Sequence, residues 1–128
     1  VRRWQRVLRA VIVDDEILVL NLLKKMLKEI NVMIIGEYTQ PRKALTDILK
    51  LMPDIIFLDI EMPGINGIEL AMELSDKLEQ ANIVFVTAYD QYAVEAFKLN
   101  ALHYILKPPC MDDVKQAVMR AEKSKPLS

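Results

Sequence analysis

Five runs of strand length, several of them apolar at almost every position, alternate along the chain with five stretches of helical period. The candidate strands are Arg9 to Asp14, Val32 to Gly36, Asp54 to Asp59, Asn82 to Thr87 and His103 to Lys107. A strand without polar alternation is buried on both faces, so it belongs in a parallel sheet with helices above and below. The order β then α, five times over, predicts an α/β fold: a doubly wound, three-layer (βα)5 sandwich.

Helix signals fall between the strands. The first helix is expected from about Ile17 to Ile30, with Leu18, Leu22, Met26 and Ile30 on the face that covers the sheet. Pro41 suits the first turn of a second helix reaching Leu51, and Pro53 ends it. The third follows Gly67, the fourth runs from about Gln91 to Leu99 with Asn100 as a left-handed cap, and the fifth from Met111 to Lys123. Residues 1–8 read as an N-terminal extension, 9–122 as one domain and 123–128 as a linker or frayed tail.

A chain of 128 residues fits one core. Its net charge of −1 gives no global attraction to nucleic acid or anionic membrane. The single cysteine, Cys110, rules out an intramolecular disulfide and fits a reducing, cytoplasmic setting. The longest apolar runs fall well short of the ~20 residues that span a bilayer. Arg2, Arg3 and Arg6 precede an apolar run that ends at once in Asp14, Asp15 and Glu16, which no signal peptide tolerates.

Open parallel sheets hold their ligands beyond the carboxyl ends of the strands. Asp14 and Asp15 close the first strand, Asp59 the third, Thr87 the fourth and Lys107 the fifth. Three acids converging on one edge repel one another unless a cation sits among them, and hard carboxylate oxygens suit Mg²⁺, or Mn²⁺. A lysine and a hydroxyl beside them can stabilise the equatorial oxygens of a phosphoryl group in transfer. Any one of these residues alone is ordinary turn chemistry. Five of them at the ends of four strands are not.

From Val11-Ile12-Val13-Asp14-Asp15-Glu16, through Phe57-Leu58-Asp59-Ile60-Glu61-Met62-Pro63-Gly64 with Gly67 after it and Val86-Thr87-Ala88, to Lys107-Pro108, the sequence resembles the CheY-like receiver domains of bacterial response regulators in two-component systems. That resemblance implies a flavodoxin-like sheet of order 2-1-3-4-5. It also implies that Asp59 accepts a phosphoryl group from a sensor histidine kinase, with Mg²⁺ held by Asp15, Asp59 and the backbone carbonyl of Glu61, and by Asp14 through water. Thr87 and Lys107 would bind the phosphoryl oxygens, small Ala88 would leave access to Asp59, and the Lys107–Pro108 peptide would be cis. Tyr104 would be the switch aromatic, following the Thr87 hydroxyl inward on phosphorylation and altering the surface of the fourth helix, fifth strand and fifth helix. Partners, or a second copy of the chain forming a homodimer, would dock on that surface. Glu61 and Tyr89, two residues beyond the phosphoacceptor and the threonine, would tune the lifetime of the phosphorylated state.

The stretch from Thr87 to Phe97 looks like receivers joined to LytTR-type or SARP-type transcriptional outputs. DNA would then be reached only through such a module, outside this sequence; the alternative is a single-domain regulator that acts by docking. No multiple-turnover enzyme is expected, only self-phosphorylation from a donor and slow self-dephosphorylation. A haloacid-dehalogenase-type phosphatase would also use a strand-end aspartate with Mg²⁺, but it needs a second Asp where this chain has Glu61. A pseudo-receiver would lack one of the acids or the lysine. His103, the one histidine, reads as a hydrogen-bonded residue before it reads as a ligand.

Overall fold

The computed structural model describes residues 7–124. Arg2, Arg3, Arg6 and the tail beyond Ser124 lie outside the described residues. The elements are β1 (Arg9–Val13), α1 (Ile17–Glu29), β2 (Met33–Tyr38), α2 (Pro41–Leu51), β3 (Ile55–Leu58), β4 (Glu61–Met62), β5 (Ile65–Asn66), α3 (Gly67–Lys77), β6 (Asn82–Thr87), α4 (Ala93–Lys98), β7 (His103–Leu106) and α5 (Met111–Lys123). The five long strands form one parallel sheet in the order β2-β1-β3-β6-β7. With the short hairpin strands β4 and β5 set aside, this is the expected 2-1-3-4-5 arrangement.

Alternate residues of each central strand feed two separate cores, which is why these strands are apolar throughout. Ala10, Ile12, Ile55, Phe57, Val84 and Val86 pack with α1 and α5 on one face. Val11, Val13, Ile56, Leu58, Ile83 and Phe85 pack with α2, α3 and α4 on the other. Burying a Leu, Ile or Phe side chain contributes about 1.5–3 kcal/mol each, so the two cores supply most of what holds the sandwich together.

Three expectations need correcting. The face of α1 turned to the sheet is Leu20, Leu23 and Leu27, whereas Leu18 is 81% exposed. Apolar residues fill so much of α1 that several stripes satisfy a helical period, and packing selects among them. Strand β2 continues past Gly36 to Tyr38. Gly36 is a close-packing position inside the strand: a Cβ there would meet the Tyr38 ring at 2.9 Å. The pairing with β1 skips Ile35, a bulge at this edge. Finally, Leu8 is only 4% exposed and its carbonyl accepts the Met33 N–H at 2.9 Å, so the core begins one residue before the expected domain boundary.

Turn and cap chemistry places the loops. Asn100 is left-handed at φ 60°, as its position after α4 predicted. The β4–β5 hairpin, which was not anticipated, turns at Pro63-Gly64 with Gly64 at φ 92°. That dipeptide is a turn signal: Pro fixes its own φ and Gly accepts the positive one.

Candidate functional site

The strand order reverses between β1 and β3, and their carboxyl ends open the crevice there. Val13 pairs with Leu58, so the residues next in line, Asp14 and Asp59, emerge side by side. The Asp59 N–H donates to the Val13 carbonyl at 2.9 Å, fixing the Asp59 backbone to the end of β1. Oxygen atoms of Asp14, Asp15 and Asp59, one from each, all lie within 4.8 Å of one another. Asp14 and Asp59 are buried and Asp15 is exposed.

Lys107 reaches into this group from the end of β7, where its N–H donates to the Thr87 carbonyl at 2.8 Å. Its ammonium, on a side chain 8% exposed, stands 3.1 Å from Asp14 Oδ2, 3.2 Å from Asp59 Oδ2 and 2.5 Å from Glu16 Oε1. The Lys107–Pro108 peptide is cis. Asp59 Oδ1 accepts the Ile60 N–H at 2.8 Å, and Asp14 Oδ1 accepts the Glu16 N–H at 2.8 Å. Asp14 Oδ2 is buried and makes no hydrogen bond; Lys107 is close enough to pair with it by charge but lacks hydrogen-bond geometry. A buried carboxylate oxygen without a donor, beside two further carboxylates, fits a hard divalent cation.

Burial, and then the charge of Asp14, push the Asp59 carboxyl up to about 6, against the pull of Lys107 and the Ile60 N–H. Burial also raises Asp14, although the Glu16 N–H and Lys107 oppose it. Burial by itself would lower Lys107, but the Glu16 hydrogen bond and the charges of Asp14 and Asp59 carry it above its ordinary value. The lysine is therefore a fixed cation.

The sign of the Asp59 shift gives a prediction. A carboxyl raised from 3.8 to about 6 binds its proton more tightly in the folded domain, so stability falls as pH rises between those values and the penalty is fully present above them. Two units correspond to about 3 kcal/mol at most. A bound dication removes the penalty, so Mg²⁺ should raise the melting temperature far more at about pH 7.5 than at about pH 5. Thermal scans with and without Mg²⁺ check this; an equal gain at both pH values would contradict it.

Thr87 is fully buried, and its Oγ1 accepts the Tyr89 N–H at 3.3 Å. Ala88 is exposed. Tyr104 is partly buried, its ring centroid 6.3 Å from that of Phe85, and its hydroxyl donates to the Tyr89 carbonyl. The Tyr89 backbone is thus held from one side by Thr87 and from the other by Tyr104. Glu61 is exposed, and its Oε2 accepts a hydrogen bond from the Tyr92 hydroxyl at 2.7 Å.

Sequence reasoning did not single out Glu16 or Tyr92. Glu16 sat in view beside the acid pair, but its partner Lys107 is 91 positions away; nothing in the sequence pointed from Tyr92 to Glu61, 31 positions earlier. His103 accepts from Arg120 at its Nδ1, at 3.1 Å, and burial together with the Arg120 charge lowers its pKa.

A parallel five-stranded sandwich with acids at the switch point and a lysine opposite them is the architecture of a phosphorylation-switch module, and the chain matches the family model of the response regulator receiver domain over residues 10–119. It belongs to that family. Among curated proteins it is 43% identical over 119 residues to the sensory transduction protein LytT of Bacillus anthracis, covering 92% of this chain and 48% of that protein. It is 44% identical over 121 residues to the transcriptional regulatory protein LytR of Staphylococcus aureus, covering 92% and 49%. The chain therefore spans about half the length of these relatives. Among solved structures, the response regulatory domain of mrkE from Klebsiella pneumoniae superposes with a TM-score of 0.84 at 32% identity, covering 91% of this chain and 96% of that one. The receiver domain of AraT, a response regulator from Geobacillus stearothermophilus, gives 0.83 at 27%, covering 92% and 95%. Among the described residues, no helix is long and apolar enough to cross a membrane.

Proposed function

We propose that Asp59 is the phosphoacceptor of this receiver, taking a phosphoryl group from the histidine of a sensor kinase. The observation that carries the reading is the placement of the Asp59 carboxylate beside two further acids, with the Lys107 ammonium 3.2 Å from its Oδ2. The Asp59 oxygen forms a bond to phosphorus as the bond to the donor's imidazole nitrogen breaks; in-line displacement of this kind needs positioning and charge stabilisation more than covalent help from the protein. Lys107 and Thr87 bind the phosphoryl oxygens in this reading, and exposed Ala88 leaves the approach open.

Asp15 and Asp59, with Asp14 through water and the Glu61 carbonyl, would hold Mg²⁺ or Mn²⁺, which when bound neutralises charge on the phosphoryl oxygens. Loss of the phosphoryl group is a slow self-limited reaction, not turnover of a substrate. Glu61 and Tyr89 tune its rate.

The phosphorylated state is read at the face of α4, β7 and α5. Recruitment of the Thr87 hydroxyl by the phosphoryl oxygens breaks its bond to the Tyr89 N–H, and the loop that Tyr104 also holds is then free to move. Val94 and Phe97 on α4, Leu106 on β7 and Met119 on α5 are exposed apolar side chains on these elements, Phe97 at 82%, and such side chains suit contact with a second copy of the chain. Transcriptional output through a DNA-binding module is supported by the likeness to LytR; docking by the receiver alone is the alternative. A cytoplasmic setting follows from the kinase partner.

The test is incubation with acetyl phosphate and Mg²⁺, read by intact mass and by mapping of the modified residue. Wild type is expected to gain one phosphoryl group on Asp59, and Asp59→Asn none. Equal labelling of the two would reject the assignment.

A further inference from the structure

Glu61 lies two residues beyond Asp59, so their Cα atoms are at most about 7 Å apart. An exposed glutamate at that distance has the reach to lie over the Asp59 carboxylate or away from it. What holds it is the Tyr92 hydroxyl, 2.7 Å from Glu61 Oε2, at the N-cap of α4. Tyr92 is itself braced: its ring meets the Tyr89 ring edge-on, centroids 6.4 Å apart at 88°. The phenol thus has a second contact, and the Glu61 carboxylate is held at Oε2 by that phenol.

We propose that Tyr92 is a positioning residue for Glu61, which keeps that carboxylate from serving the water that attacks phosphorylated Asp59. The inference rests on Asp59 being the phosphoacceptor. In hydrolysis the water oxygen bonds to phosphorus as the bond from phosphorus to the Asp59 oxygen breaks, returning the carboxylate and releasing dihydrogen phosphate, which carries both of the water's protons. A carboxylate with free oxygens beside that water accepts its hydrogen bond and orients it. With Oε2 occupied by a phenol and the side chain drawn toward α4, Glu61 is withheld from this role, and the phosphorylated state lasts longer.

The chain is labelled with acetyl phosphate and Mg²⁺, the donor is removed, and loss of the phosphoryl group is followed for wild type, Tyr92→Phe, Glu61→Ala and the double variant. Tyr92→Phe removes only the hydroxyl. It should lose its phosphoryl group about threefold to tenfold faster than wild type, with an unchanged denaturation midpoint, and the same substitution should have no effect on a Glu61→Ala background. Decay of Tyr92→Phe at the wild-type rate, or an acceleration that persists without Glu61, would overturn the proposal. A wild-type chain that takes no label at Asp59 would instead overturn the reading beneath it.

Discussion

Replacing Gly67 with alanine is expected to lower the folding free energy by about 3 kcal/mol or more and to impair phosphoryl acceptance at Asp59. The reason is close approach of backbone to backbone. A Cβ at Gly67 would lie 2.0 Å from the Asp59 carbonyl oxygen, 2.7 Å from the Ile60 Cα and 2.9 Å from the Asp59 carbonyl carbon. None of these is the end of a flexible side chain, so either the first turn of α3 or the segment bearing Asp59 must move. The Gly67 N–H also donates to the Ile60 carbonyl at 2.6 Å, and that bond goes with the shift. Gly64→Ala is the control: nothing lies within 4 Å of a Cβ there, and only the strain of its φ of 92° is felt, about 1–2 kcal/mol. Urea denaturation of the two variants should separate them clearly; equal losses would show that the contact between α3 and the Asp59 segment is not tight.

Removal of the Lys107 ammonium, as in Lys107→Ala, is expected to destabilise the Mg²⁺-free domain by about 3 kcal/mol near neutral pH. Buried Asp14 and Asp59 would lose the cation 3.1 and 3.2 Å from their oxygens, whereas Glu16, exposed, would lose little. Toward about pH 5 the loss should shrink as the acids take up protons instead. Mg²⁺ should restore most of the stability, because a dication among the carboxylates replaces the missing charge. It should not restore chemistry. On the proposed reading Lys107 donates to the phosphoryl oxygens, so acceptance without it should slow by about a hundredfold. A variant with wild-type stability in chelator, or one that Mg²⁺ fails to rescue, would show that the ammonium does not offset the charge of these acids.

The sheet was legible in the sequence because its central strands are apolar on both faces, a pattern that parallel sandwiches impose and few other arrangements tolerate. The start of α2 and the close of β6 were set by local chemistry, Pro41 at the one and Thr87 at the other. Phase was not legible where apolar residues were too plentiful: α1 offers leucines on several faces, and only packing against β1 and α5 chose Leu20, Leu23 and Leu27. Gly36 misled because a glycine reads as a strand end, while here its missing side chain makes room for the Tyr38 ring.

At the site, Asp14, Asp15, Asp59, Thr87 and Lys107 could be found because each closes a strand, and strand ends of a parallel sheet share one edge. Glu16 and Tyr92 could not, since each owes its place to one partner far away in sequence. Sequence reports the edge on which a group lies; it does not report which side chain across that edge will hold it.

The acids, the threonine and the lysine are proposed to form one phosphoryl site around Asp59, and a crystal structure with Mg²⁺ and beryllofluoride would decide it. The expected result is beryllium bonded to an Asp59 oxygen, with fluorines contacted by Lys107 Nζ and Thr87 Oγ1, and Mg²⁺ on Asp15 and Asp59. Beryllofluoride bound elsewhere, or absent with Mg²⁺ away from these carboxylates, would contradict it.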